Sequence, residues 1–147
     1  MPEKNVLLVD DDERIIKILT FLFLSKGYKV STARNGVGAF EFLETAIPDF
    51  IILDLAMPNM DGITFYCKMM ENERFADIPV IILSALPSSE NLSKINLPDP
   101  RYYIHKPFRT AELMAIVSEV SAGKKETSDL EYKVEVSDSD KVTDPLL

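Results

Sequence analysis

Residues 50–62 read FIILDLAMPNMDG, and this stretch decides the fold of the chain. Four apolar residues lead directly into the carboxylate of Asp54, and a loop of turn-forming residues follows. A short unbroken apolar run bounded by turn residues is typical of a strand buried on both faces, as in a parallel sheet. Ligands of such sheets bind beyond the carboxyl ends of the strands. A lone aspartate here also suits a turn cap, so the interpretation depends on the rest of the chain.

Other short apolar runs predict four more strands, and helical spacing of apolar residues predicts helices between them. The strands are predicted at 5–9, 28–32, 50–54, 79–84 and 102–106. The helices are predicted at 13–26, 35–45, from 61 onward, at 88–97 (with weak propensity) and at 109–122. Asp12 is a predicted N-cap and Gly27 a predicted helix stop. This alternation predicts an α/β fold with a doubly wound, five-stranded parallel sheet.

Polar residues mark the ends of several predicted strands, namely Asp10, Asp11, Asp54, Ser84 and Lys106. Right-handed crossovers bring all these strand ends to one edge of the sheet, so the five side chains should converge. Crowded carboxylates repel each other, and Mg2+ bound by carboxylate oxygens would relieve that repulsion. Asp54 between a metal and an ammonium group suits nucleophilic attack on a phosphoryl group.

The chain from residue 5 to residue 122 resembles a response-regulator receiver domain of two-component signalling. The resemblance is carried by VDD at 9–11, DLAMPNMDG at 54–62, SA at 84–85 and KPF at 106–108. It implies the flavodoxin-like strand order 2-1-3-4-5. It also implies a signalling domain that catalyses only its own phosphorylation and dephosphorylation, with a histidine kinase or a phosphotransfer protein as the phosphoryl donor.

The resemblance implies a role for each site residue. Asp54 would be the phosphoacceptor. Asp11 would bind Mg2+ directly, Asp10 would bind it through water, and the backbone carbonyl of Ala56 would be a further ligand.

Two further side chains match the family's switch. Lys106 would bind the phosphoryl group, Ser84 would be the switch hydroxyl, and Tyr103 would be the aromatic that changes rotamer with it. Signalling would then act through the face formed by the 88–97 helix, the fifth strand and the last helix.

Composition narrows the class of protein. The net charge of −8 argues against a nucleic-acid-binding face, which is basic. No apolar stretch is long enough to span a bilayer, and no signal peptide opens the chain, so no membrane association is expected. A single cysteine, Cys67, suits a cytoplasmic location. The resemblance is compatible with a homodimer.

Composition shifts at Gly123, which predicts a receiver domain at 1–122 and an acidic tail or linker at 123–147. The segment from Lys124 to Leu147 has seven acidic and four basic residues. Within it, residues 130–136 alternate between apolar and charged side chains, a strand pattern that needs a sheet edge to pair with.

Three alternatives remain open. The chain could be the receiver fragment of a longer regulator, for example one with a diguanylate cyclase output domain. It could be a haloacid-dehalogenase-type phosphatase, although that class needs a second aspartate where this chain has Ala56. It could also be a receiver-like interaction domain that is never phosphorylated.

Overall fold

The computed structural model describes residues 4–55, 62–84 and 102–122. Within these ranges, strands and helices alternate along the chain. They are β1 (Asn5–Val9), α1 (Glu13–Ser25), β2 (Lys29–Ala33), α2 (Gly36–Leu43), β3 (Phe50–Asp54), α3 (Gly62–Met70), β4 (Val80–Ser84), β5 (Tyr103–His105) and α4 (Thr110–Ser121).

The strands form one parallel sheet in the order β2-β1-β3-β4-β5. This arrangement confirms the predicted doubly wound α/β fold and the 2-1-3-4-5 order. The central strand β3 is buried over its whole length, as its unbroken apolar run predicts.

Successive side chains of each strand contribute to two different cores, one on each face of the sheet. One core contains Leu7 and Val9 of β1 together with buried residues of α2 and α3. The other contains Val6 and Leu8 together with buried residues of α1 and α4. Helices therefore cover both faces, and the edge at which the strands end is left for the functional side chains.

Local chemistry fixes the helix ends. The carboxylate of Asp12 accepts a hydrogen bond from the backbone N–H of Arg14 and caps α1, as predicted. Gly27 adopts a φ of 91°, the left-handed conformation expected just after a helix. The Asn35 side chain caps α2 from outside the helix by accepting from the Gly38 N–H, so α2 begins one residue later than predicted.

Three strands differ slightly from their predicted bounds. The strand predicted at 79–84 begins one residue later, at Val80. The predicted strand at 28–32 lies at Lys29–Ala33, because the N–H of Tyr28 donates to the carbonyl of Phe23 and closes the turn after α1. The last strand is shorter than the predicted 102–106 and spans Tyr103–His105.

Several predictions fall on other parts of the chain. The candidate helix at 88–97, Ala56 and the 123–147 tail lie outside the described residues. Among the helices that are described, none has the length and apolar character needed to cross a membrane.

Candidate functional site

Two buried carboxylates lie at the ends of neighbouring strands. Asp10 directly follows β1, and its N–H donates to the carbonyl of Ala33, which continues the pairing with β2. Asp54 is the last residue of β3, which pairs with β1. Only 4% of Asp10 and 6% of Asp54 is exposed. The apolar strands that precede these residues thus bring two carboxylates to one edge and largely remove them from water.

Lys106 supplies a positive charge between these carboxylates. Its Nζ atom lies 3.1 Å from Oδ2 of Asp10 and 3.7 Å from Oδ1 of Asp54. Its side chain is 15% exposed. The backbone N–H of Lys106 donates to the carbonyl of Ser84, which ties the lysine to the end of β4. Strand pairing therefore places one ammonium group against residues far away in sequence.

Burial raises the pKa of Asp10 above the ordinary value of 3.8. The backbone N–H of Asp12 and the ammonium of Lys106 both lower that pKa, but they only partly offset the desolvation. The ionised form of Asp10 is therefore undercompensated by the protein groups around it. A further positive charge at this edge would favour that form.

The carboxylates of Asp10, Asp11 and Asp54 can bring one oxygen each to within 4.8 Å of one another. Asp11 is exposed, whereas the other two are buried. A set of hard oxygen donors that is open to water on one side suits Mg2+, which keeps several of its own water ligands. The undercompensated charge of Asp10 and this donor set both fit a divalent cation.

Ser84 and Tyr103 lie on the same face of the sheet. Ser84 is fully buried at the end of β4 and pairs in register with His105, while Tyr103 pairs with Ile82. Side chains two residues apart on a strand point to the same face, so the hydroxyl of Ser84 and the ring of Tyr103 share one side. The Tyr103 ring is partly buried and lies 5.2 Å, centroid to centroid, from the ring of His105.

Gly62 is a site residue that the sequence reasoning did not single out. Its N–H donates to the carbonyl of Leu55 at 2.9 Å. A Cβ atom at this position would lie 2.9 Å from the carbonyl carbon of Asp54 and closer still to Asp54 O and Leu55 Cα. Only glycine allows α3 to begin this close to the end of β3. The Asp-Gly pair at 61–62 is the available signal, but on its own it predicts only that a helix begins there.

The structure thus brings together Asp10, Asp11, Asp54 and Lys106, and it joins Ser84 to them through the backbone of Lys106. Tyr103 lies on the adjacent strand of the same sheet.

Comparisons with known proteins point to one family. The profile of the response regulator receiver domain matches residues 6–118. Response regulator Rre1 of Synechocystis is 32% identical over 126 residues, which cover 85% of this chain and 54% of Rre1. The sensor histidine kinase TmoS of Ectopseudomonas mendocina is 36% identical over 83% of this chain and 12% of its own length. The chain therefore spans about half, or less, of these curated relatives.

Similar solved structures point to the same family. The signal receiver domain of a signal transduction histidine kinase from Syntrophus aciditrophicus matches with a TM-score of 0.76 and 27% identity, over 89% of this chain and 99% of that one. The receiver domain of the sensor histidine kinase PA1611 from Pseudomonas aeruginosa matches with a TM-score of 0.71 and 27% identity, over 82% and 99%. That structure is described as having a magnesium ion coordinated in its active site cleft.

Proposed function

Because this chain belongs to the response regulator receiver domain family, we propose that Asp54 accepts a phosphoryl group from a phosphohistidine of a histidine kinase or phosphotransfer protein. Receiver domains are signalling domains rather than enzymes that turn over a substrate. The observation that carries the proposal is the position of the Lys106 ammonium, 3.1 Å from Asp10 and 3.7 Å from Asp54.

In the proposed transfer, a carboxylate oxygen of Asp54 attacks the phosphorus atom. A P–O bond forms, the P–N bond to the donor imidazole breaks, and the imidazole leaves. The Lys106 ammonium, already 3.7 Å from Asp54 Oδ1, neutralises charge on the transferring oxygens. The strand end holds Asp54 in place, so the reaction needs little rearrangement of the protein backbone.

Mg2+ fits the same edge. Asp10, Asp11 and Asp54 would hold it, together with the backbone carbonyl of Ala56, which lies outside the described residues. When bound, Mg2+ supplies further positive charge for the phosphoryl oxygens. Its charge would also stabilise the ionised form of Asp10, because burial raises the pKa of that side chain.

The signalling step is proposed to begin at Ser84. A phosphoryl group on Asp54 adds negative charge and strong hydrogen-bond acceptors. The hydroxyl of Ser84 would bond one of those oxygens, and the Tyr103 ring would move into the space that Ser84 leaves. Phosphorylation can drive this shift only by interacting better with one of the two arrangements.

The output is proposed to come from outside the described domain. The chain spans 54% of Rre1 and 12% of TmoS, so the phosphorylated domain would act within, or on, a larger regulator. We assign this receiver to the cytoplasm.

Intact mass after incubation of the full chain with acetyl phosphate and Mg2+ tests the assignment. Wild type should gain one phosphoryl group, and Asp54→Asn should gain none. Asp77→Asn is a matched control, because it removes an exposed carboxylate that precedes β4, at the opposite end of that strand from Ser84, and it should be phosphorylated like wild type. A phosphoryl adduct that persists in Asp54→Asn would refute the assignment.

A further inference from the structure

We propose that residues 130–136 add a sixth strand to the free edge of β2 in the same molecule, parallel to β2. This segment reads LEYKVEV. The proposal rests on the edge of the sheet, on the point where the chain leaves α4, and on the pattern of side chains along both segments.

The outer edge of β2 pairs with no strand among the described residues. Lys29 donates its N–H to the carbonyl of Lys4, and Ala33 accepts from Asp10, so both residues face β1. Backbone groups of successive strand residues alternate in direction, which directs the N–H and C=O groups of Val30 and Thr32 away from β1. No other described strand lies on that side of β2. An exposed edge of this kind is a template for one more strand.

The chain leaves α4 close to this edge. The carbonyl of Ser121 accepts a hydrogen bond from Nζ of Lys4 at 3.2 Å, and the hydroxyls of Ser121 and Tyr28 lie 3.0 Å apart. Lys4 and Tyr28 directly precede β1 and β2. The end of α4 is thus tied to the end of the sheet at which β1 and β2 begin. The seven residues at 123–129 can span up to about 25 Å, which is enough to reach the start of β2.

The connection also has the correct hand. Helices α1 and α4 pack on the same face of the sheet. Because β2 is the edge strand farthest from β5, a connection from β5 through α4 to a strand beyond β2 crosses the sheet in the same direction as β1–α1–β2. It therefore has the same right-handed sense, which is the rule for parallel strands.

The two faces of the proposed strand match those of β2. Val30 packs against the core that contains α1, whereas Lys29 and Ala33 lie on the opposite face. One face of the proposed strand would be apolar, formed by Leu130, Tyr132, Val134 and Val136, and the other charged, formed by Glu131, Lys133 and Glu135. If the apolar row continues the row of Val30, the two glutamates lie in the row of Lys29. Opposite charges on neighbouring strands are favourable.

Exposed side chains at the end of the sheet where β1 and β2 begin also favour residues 130–136 as the added strand. Leu24, in the last turn of α1, is 56% exposed. Lys4, Lys26 and Lys29 are exposed as well, whereas residues 124–147 carry more acidic than basic side chains. The charge of this acidic segment is therefore complementary to that of the exposed lysines.

The same molecule is favoured over a second copy because the tether is short. A short linker gives an effective concentration in the millimolar range, on the order of 1 mM, above that of most protein solutions. The opposite edge is less suitable, because β5 has only three residues, Tyr103–His105.

Hydrogen exchange of the full chain, resolved to single amides by NMR, tests the proposal. Alternate amides within 130–136 and the amides of Val30 and Thr32 should be protected by at least about tenfold over unstructured chain. Val134→Pro and Glu135→Pro should differ in their effect on amide exchange in β2. Successive N–H groups alternate in direction, so only one of these two residues can donate a hydrogen bond to β2. The proline that removes this bond should speed exchange at Val30 and Thr32 by about tenfold, since both amides then lose their cover.

Ser139→Pro is the matched control, because it introduces the same residue beyond the proposed strand and should leave all these amides unchanged. Coil-like exchange of 130–136 in wild type, or an equal absence of effect from both prolines, would overturn the proposal. So would protection that moves to Tyr103–His105, which would place the strand at the other edge. Protection that grows with protein concentration alongside a dimeric mass would assign the strand to a second copy instead.

Discussion

At the scale of single residues, Asp10 is a buried carboxylate whose hydrogen-bond donors do not fully offset its desolvation. Its two oxygens accept from different donors, the N–H of Asp12 at 2.9 Å and the ammonium of Lys106 at 3.1 Å. Desolvation still outweighs these contacts, so the pKa of Asp10 stays raised. Folding therefore favours the protonated form of this side chain.

We predict that this imbalance makes metal-free stability depend on pH. A carboxyl whose pKa is raised by folding stabilises the fold when protonated, and this contribution is lost as pH rises. Between pH 3.8 and the raised pKa of Asp10, the free energy of unfolding of wild type should fall relative to that of Asp10→Asn. Urea denaturation of both proteins across this range, in the presence of a chelator, measures the difference.

The control for this prediction is Asp77→Asn, which removes an exposed carboxylate and should track wild type at every pH. Saturating Mg2+ should weaken the pH dependence, since a bound cation favours ionised Asp10. A constant difference between wild type and Asp10→Asn from acid to neutral pH would contradict the prediction.

The convergence of Asp10, Asp54 and Lys106 was predictable, because each follows or ends a recognisable apolar run. The sequence could not predict which of the two carboxylates lies closer to Lys106. Its 3.1 Å contact with Asp10 and 3.7 Å separation from Asp54 depend on rotamers and on how three strands sit side by side. Strand ends can be identified in a sequence, but differences of half an ångström between side chains cannot.

At the scale of elements, helix ends followed the sequence where a side chain or a glycine sets them. Asp12 caps α1 and Gly27 ends it, as predicted. Where no such signal exists, the predicted and observed helix ends differ. Helix α2 ends at Leu43, although its apolar pattern predicts an end near residue 45. The importance of Gly62 was missed because the constraint comes from another element, the end of β3, and not from its own neighbours in sequence.

We predict that Gly62→Ala damages both stability and phosphorylation. The new methyl group would meet the backbone of Asp54 and Leu55, and neither backbone can rotate away as a flexible side chain could. The expected loss of stability is about 1–3 kcal/mol, typical of overpacking. The displaced strand end should also slow phosphorylation of Asp54 by acetyl phosphate. Urea denaturation and the rate of mass increase measure the two effects.

Gly38→Ala is the matched control for that substitution. A methyl group at Gly38 would lie 3.6 Å from Cβ of Ala33 and from Oδ1 of Asn35, which is ordinary contact. Alanine inside a helix should stabilise the protein by about 0.5–1 kcal/mol relative to glycine and leave phosphorylation unchanged. Equal effects of the two alanines would show that close approach to β3 is not what makes Gly62 necessary.

At the scale of the whole molecule, the two cores explain why the fold was recognisable. Each strand of the pair β1 and β3 gives alternate side chains to both cores, so both read as unbroken apolar runs rather than alternating ones. The apolar pattern alone could not predict the order of the strands, because crossovers of similar length permit several orders. That order came from the resemblance, and the family match also separates this chain from the phosphatase alternative.

Mg2+ should stabilise the whole domain, because the three carboxylates come together only in the folded chain. A ligand that binds only the native state adds about 2.7 kcal/mol at a hundredfold excess over its Kd. We predict that Asp11→Asn unfolds at no lower temperature than wild type without Mg2+, since it removes one charge from a crowded cluster. It should gain little when Mg2+ is added, whereas wild type should gain several degrees.

Asp12→Asn is the control that separates metal binding from a general charge effect. It makes the same chemical change one residue later, and asparagine caps a helix about as well as aspartate, so α1 should be preserved. Because Asp12 is not part of the three-carboxylate cluster, this variant should keep the full response to Mg2+. Thermal unfolding of the three proteins over a Mg2+ titration makes the comparison. If Asp11→Asn responds as strongly as Asp12→Asn, the cation is bound without Asp11 and the proposed ligand set is wrong, even if Asp54 is still phosphorylated.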